Sequence, residues 1–398
     1  MPTLKQLTQD AYTAYAVEYD NRIFYLKCYG YYQNPSYYEI YEIDPDGSVI
    51  SKIVTSDTTN NEDTYLQMYS PEHDGLIVSG RKSGGTGFIE VWKLDGTKVG
   101  GVTSPQGMYI IQVVRIEDKY IVNACCDING FYIVDAANLL DTTKWTLKSI
   151  PISWGYTAQE NRFAMFGDKL LIIRFDKGYN GDLLVYDPAT DTFTQLDSWS
   201  GTGAIRGLIF PHVFANDVMA VWTKAYSDSG FDVMMTKDLS TKAKLSTEPF
   251  FGATLSGENQ CSAVPVSDSL IAIFNTKDAS TDNYVRIIDT TGKELWRASF
   301  SYGHAGLVHT LARGRLYLSL EIFPAVGKTG LLIVKPDIIK DISATVNPDG
   351  TVTVTGTNIS SASAYKWFIG TSYAKKVADI PLGTATNIGT GYFRIRGR

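Results

Sequence analysis

The chain has 398 residues, 44% of them hydrophobic, and 36 basic against 42 acidic side chains give a net charge of −6. That length suits two or three ordinary domains or one large repeat fold, and the apolar share rules out wholesale disorder. The acidic balance argues against a nucleic-acid or anionic-membrane partner, which would call for a basic face.

The opening "MPTLKQLTQD" lacks a basic stretch followed by an apolar one, so no secretory leader is expected, although a leader already removed would leave no trace. No segment approaches the length of apolar residues that a membrane span needs. From Asn21 onward a polar turn followed by a short apolar strand recurs: "NRIFYL" at Asn21, "DGLIVS" at Asp74, "DKYIVN" at Asp118, "DKLLII" at Asp168, "DVMAVW" at Asp217, "DSLIAI" at Asp268 and "GRLYLS" at Gly314. The spacing runs from 44 to 53 residues.

A second mark follows each turn, a strand closing on Asp: "IYEID" (Asp44), "VWKLD" (Asp95), "FYIVD" (Asp135), "LLVYD" (Asp187) and "VRIID" (Asp289), with blurred versions at Asp238 and Asp337. An aspartate opening a turn accepts the backbone N–H two residues on, which accounts for the recurrence without catalysis. Inner strands precede the turns ("YIIQVVRI", 109–116; "GLVHTLA", 306–312), and outer strands end the units ("DTFTQLDSW", 191–199; "KELWRASF", 293–300). Four short strands every 40 to 50 residues are the signature of a β-propeller. The reading is all-β: a seven-bladed β-propeller over residues 1–339 with a small β-sandwich-like C-terminal module over 340–398. Residues 2–8 are expected to close the ring by lending an outer strand to the last blade.

Single blades resemble known repeats. "GDLLVYDPATDTFTQL" (181–196) is similar to the second half of a kelch blade; Tyr186 matches, Phe193 stands at the tryptophan position, and Arg174-Phe175 replaces the glycine doublet. "IIDTTGKELWRASF" (287–300) resembles a quinoprotein-type blade. These resemblances imply the propeller architecture and not the function of either family.

The polar "ISATVNPDGTVTVTGTN" (342–358) reads as a hairpin with an NPDG turn. The four cysteines, Cys28, Cys125, Cys126 and Cys261, have no metal-site spacing and read as reduced, mostly buried thiols, a Cys125–Cys126 bridge being the exception to test. The four histidines are too scattered for a metal centre, and His212 and His309 are expected on inner strands near the axis.

No nucleophile elbow, zinc-protease or P-loop motif occurs, no catalytic residue is singled out, and no cofactor or metal is expected. What remains is a surface. The loops between second and third strands, and those between blades, share one face of a propeller. They carry Tyr31 and Tyr32, Trp154 and Tyr156, Tyr179, Trp199, Arg206, Tyr226, Asp228, Tyr302 and His304 as candidate binding residues. Tyrosine and tryptophan give wide contact area for little lost entropy. Within "YGYYQNPSYYEIYEID" (29–44), Tyr38 and Tyr41 are expected to pack between blades, leaving Tyr31 and Tyr32 for contact. The leading functional reading is a non-enzymatic docking propeller with other protein subunits as partners, in a virion (phage tail or capsid-associated) or cytoplasmic assembly. The rivals are an extracellular glycan-binding or adhesion propeller, and a glycosidase or lyase with carboxylates drawn from separate blades.

Overall fold

A computed structural model describes the strands named below and the connections at 44, 47–48, 56, 86, 94–97, 104–105, 117–118, 128–129, 136–145, 150–152, 167–168, 180, 188–191, 200, 219, 237–242, 269 and 290–293, with side chains between residues 16 and 297. Six four-stranded sheets are made of consecutive strands. The first holds β2 (Ala14–Tyr19), β3 (Arg22–Tyr29), β4 (Tyr37–Ile43) and β5 (Val49–Thr55). The second holds β6 (Asn61–Met68), β7 (Gly75–Lys82), β8 (Gly87–Lys93) and β9 (Lys98–Thr103). The third holds β10 (Ile110–Ile116), β11 (Lys119–Ala124), β12 (Gly130–Asp135) and β13 (Thr146–Ser149). The fourth holds β14 (Glu160–Phe166), β15 (Lys169–Phe175), β16 (Gly181–Asp187) and β17 (Thr192–Trp199). The fifth holds β18 (His212–Val213), β19 (Ala220–Ser227), β20 (Gly230–Thr236) and β21 (Ala243–Pro249), and the sixth β22 (Gln260–Ser267), β23 (Leu270–Thr276), β24 (Asn283–Asp289) and β25 (Glu294–Phe300).

A further four-stranded sheet is completed from the other end of the chain. It holds β26 (Ala305–Ala312), β27 (Arg315–Glu321) and β28 (Thr329–Lys335), and β1 (Thr3–Gln6) supplies its fourth strand. β1 runs antiparallel to β28, with Thr3 opposite Lys335 and Gln6 opposite Leu332. The expected N-terminal closure is therefore present. Beyond it, β29 (Lys340–Val346) and β30 (Val352–Thr357) form the hairpin flanking "NPDG", and β31 (Ala364–Ile369), β32 (Lys375–Pro381) and β33 (Phe393–Arg396) form a small sheet in the order β32-β31-β33.

The innermost strands meet in series. β2 touches β6, β6 touches β10, and β10 touches β14; β14 then meets β18, β18 meets β22, and β22 meets β26, which returns to β2. The cores lie between sheets. Leu76 and Val78 of β7 pack with Phe24, Leu26 and Tyr38 of the first sheet, while Ile77 packs with Tyr120, Val122 and Tyr132 of the third. β15 divides the same way: Leu170 and Ile172 face Ile121 and Phe131, whereas Leu171 and Ile173 face Ala220 and Trp222. Side chains alternate across a strand, so a strand covered on both faces must be apolar at every position. This is the physical origin of runs such as "LLII".

The recurrent aspartates form the turns that their spacing predicts. Asp95 Oδ1 accepts the Thr97 N–H at 2.8 Å, Asp187 Oδ1 the Ala189 N–H at 3.0 Å, Asp238 Oδ1 the Ser240 N–H at 2.9 Å and Asp289 Oδ1 the Thr291 N–H at 2.8 Å. Asp135 departs from the pattern. It makes no capping bond and leads into two 3₁₀ turns (Ala136–Asn138 and Thr142–Lys144) before the four-residue β13. Two of these outer turns also lock neighbouring sheets. Gly96 and Gly292 both have φ +87°, and a Cβ on either would run into the carbonyl oxygen of the preceding sheet's outer strand, Ile53 and Leu245 respectively.

Candidate functional site

Of the candidate binding residues, Tyr31, Tyr32, Trp154, Tyr156, Tyr179, Arg206, Asp228, Tyr302 and His304 lie outside the described residues. Tyr226 lies within β19, near its end, and Trp199 is the last residue of β17. Both strands end toward the face that the second-to-third-strand loops share, so Trp199 and its surroundings describe the shoulder of the candidate site.

Trp199 is half-buried and lies flat on Gly181, where any Cβ would strike the indole ring. Lys224 Nζ stands 5.8 Å from the centre of the ring. The same ammonium donates to Asp197 Oδ1 at 3.1 Å and to the Ser198 carbonyl at 3.4 Å. Asp197 is buried, and Trp222 Nε1 donates to its Oδ2 at 3.1 Å while Lys242 also pairs with its Oδ1. Burial alone would raise this carboxyl; Lys242, Lys224 and Trp222 overcome that and hold it below the ordinary range. One buried carboxylate therefore fastens β17 of the fourth sheet to β19 of the fifth. It also fixes a lysine over a tryptophan at the edge of the face.

The third and fourth sheets are joined under the same face by a buried arginine. Arg174 pairs with Asp182 through both Nε and Nη2, the Nε–Oδ1 distance being 2.9 Å. Its Nη1 reaches Asn129 Oδ1 at 3.1 Å and the Ile152 carbonyl at 3.0 Å, both from the third sheet's end. Burial pushes the Asp182 carboxyl up and the Arg174 guanidinium opposes that rise. Arg174 is where the kelch pattern wants glycine, and here its guanidinium bridges two sheets.

Of the two tyrosines expected to pack between blades, Tyr38 does so, whereas the contacts described for Tyr41 lie within its own sheet. Tyr38 is fully buried between the first and second sheets, bonded to Glu90 and accepting from Trp92 Nε1 at 2.7 Å. Tyr41 is half-buried and lies near Tyr25, ring centres 6.4 Å apart. Tyr186 and Phe193, the kelch-like pair, stack with ring centres 4.7 Å apart and meet Phe131 of the third sheet at 5.5 Å and 6.3 Å. Burial pushes the Tyr186 hydroxyl up to about 12.

His212 sits on the innermost strand of the fifth sheet, as expected, with Nε2 3.5 Å from Ser262 Oγ of the sixth. Burial depresses its pKa to about 4. Cys261 is a buried free thiol beside Thr223 and is pushed up to about 12, which suits a packing role. Cys125 and Cys126 lie outside the described residues. Among the described residues, no group of three or more His, Cys, Asp or Glu is placed to hold a metal ion.

The inter-sheet polar ties were not legible in the sequence. Asp197 and Glu248 lie near the ends of the fourth strands β17 and β21, 51 residues apart like the turn marks Asp217 and Asp268, and both reach into the next sheet. Their partners do not repeat: Trp222 and Lys224 come from a second strand, Tyr284 and Arg286 from a third, and Glu90, bonded to Tyr38 of the preceding sheet, is itself on a third strand.

The whole arrangement can be compared with known proteins. A solved structure of U3-55K superposes with a TM-score of 0.57 at 11% identity, covering 84% of this chain and 98% of that one. A crystal structure of RRP9 WD40 repeats superposes with a TM-score of 0.56 at 10% identity, covering 83% and 97%. The fold is a β-propeller. No family model and no curated protein matches the sequence. At these identities the likeness establishes the architecture alone. Among the described residues, no helix is long and apolar enough to cross a membrane.

Proposed function

We propose that the chain is a non-enzymatic protein-docking propeller of seven blades. Its partners are other protein subunits, which bind the face carrying the second-to-third-strand loops. The observation that carries this reading is how the buried ionisable groups are used. Arg174 with Asp182, Asp197 with Lys224 and Lys242, Glu90 with Lys98, and Glu248 with Arg286 all tie strands or sheets together. Such groups stiffen a scaffold and hold their charge in fixed pairs, whereas catalysis calls for a carboxyl or imidazole poised to exchange a proton with a substrate. The fold shared with WD40-repeat structures supports an interaction scaffold.

The Trp199–Lys224 shoulder belongs to this reading, since a fixed aromatic ring beside a cation suits the mixed polar and apolar surface of a protein partner. A finer form places the chain in a virion, as a phage-tail or capsid-associated subunit. That form rests on the sequence's overall character and draws nothing from the fold.

The test is a variant with alanine at Tyr31, Tyr32, Trp154 and Tyr156. It is expected to leave the native assembly while keeping the circular dichroism and melting temperature of the parent. A folded variant that still co-purifies with the assembly contradicts the proposal. A glycan array showing specific hits lost in the same variant would favour the glycan-binding reading.

A further inference from the structure

The seam between the third and fourth sheets holds two amide side chains whose orientations are forced. Asn123, on β11, is fully buried, and its Nδ2 donates to the backbone oxygen of Asn161 at 2.7 Å. Asn161, on β14, is 2% exposed, and its Nδ2 donates to the Gly130 carbonyl at 3.3 Å. An amide NH2 can face a carbonyl, but an amide oxygen cannot. Rotating either amide by half a turn would set two oxygens against each other, so the nitrogen positions are dictated by the backbone. Each Oδ1 is thereby turned away from its carbonyl partner. Among the described residues, neither Oδ1 has a donor.

The two amides are close neighbours. Val122 pairs with Tyr132, which brings Asn123 beside the start of β12, where Gly130 lies. Asn161 crosses both, accepting from Asn123 and donating to Gly130. Its carbonyl takes a second bond from Arg162 Nη1 at 2.9 Å and is saturated. A buried acceptor left without a donor costs on the order of 1–3 kcal/mol. Each acceptor calls for a donor, and a single small one serving both is the most economical, since a hydrogen bond joins Asn123 directly to Asn161. That donor must give two hydrogen bonds, must be neutral enough to sit beside a buried guanidinium, and must be small enough for a site whose residues are 0% and 2% exposed. Water meets all three conditions.

We propose that Asn123 Oδ1 and Asn161 Oδ1 together hold one internal water molecule, a bridge between the second strand of the third sheet and the first strand of the fourth. Asn123 lies two residues before Cys125, and Asn161 follows the segment with Trp154 and Tyr156. The bridge thus anchors the roots of two connections on the candidate face. It stands on the amide geometry and does not depend on what the face binds.

The test is a high-resolution crystal structure of the full chain, with a second data set from crystals soaked in rubidium chloride. The expected result is one density peak within about 2.7–3.2 Å of both oxygens and no anomalous signal there. Three results would overturn the proposal: either oxygen accepting from a protein donor, an empty space between them, or a rubidium peak, which would assign the site to an alkali cation.

Discussion

At the scale of single residues, the turn aspartates contribute a pH dependence on the acid side. The carboxyls of Asp95, Asp187 and Asp289 are held below the ordinary value of 3.8, Asp95 chiefly by the Thr97 N–H, Asp187 by Lys169 and Asp289 by the Thr291 hydroxyl. A depressed folded-state pKa contributes stability above the unfolded value and loses it as pH falls through the folded one. Acid titration is therefore expected to weaken the fold below pH 3.8, and Asp289→Asn to flatten that arm of the curve; an unchanged arm would contradict the assignment. His212 acts over a different window. Its folded pKa lies near 4, below the ordinary 6.5, because burial disfavours the imidazolium. The native state binds that proton less readily than the unfolded chain, so stability is full above pH 6.5 and declines from there toward 4. Urea midpoints of His212→Gln should show a shallower decline across that range, and identical slopes would remove His212 as the cause. Gly96→Ala and Gly292→Ala each combine a positive φ with a backbone clash, and each is expected to cost about 1 kcal/mol or more in urea denaturation.

At the scale of elements, the sequence was most legible where one feature repeats. The turn-strand-Asp period located the first-to-second-strand turns and the third-strand ends because each is a local backbone requirement met by the same few residue types. Legibility failed at β13, where two 3₁₀ turns replace the usual tight turn and leave only Thr146–Ser149 as strand. It failed again at the seams, because the groups that satisfy a buried carboxylate come from different strands of the next sheet, Trp222 and Lys224 from a second strand for Asp197 and Tyr284 and Arg286 from a third for Glu248. Arg174 and Asp182 illustrate the point: they are eight residues apart, pair across β15 and β16, and reach Asn129 on the neighbouring sheet. Breaking this pair by Asp182→Ala leaves a buried guanidinium uncompensated and is expected to cost about 3–5 kcal/mol in chemical denaturation. Replacing both partners by apolar residues of similar volume should cost far less. Equal losses for the single and double variants would mean that the pair adds packing and no electrostatic tie.

At the scale of the whole molecule, the ring depends on a short piece of chain remote from its partners in sequence. β1 adds only Thr3–Gln6, yet it covers the outer edge of β28. Deleting residues 1–8 is expected to lower the melting temperature and expose an unpaired edge that promotes aggregation. A truncated chain with the parent's melting temperature would show that closure adds nothing. The candidate face was legible only as a class of loops: their place followed from strand order, while their side-chain arrangement depends on long-range packing that composition does not encode. Trp199 shows why, since its ring is positioned by Gly181 and by a lysine from the next sheet. The docking function is tested most directly by the mass of the chain's native complex, measured by light scattering on material isolated from its own source. A particle several times the mass of one chain, containing other subunits, is the predicted result; a monomer would contradict the account.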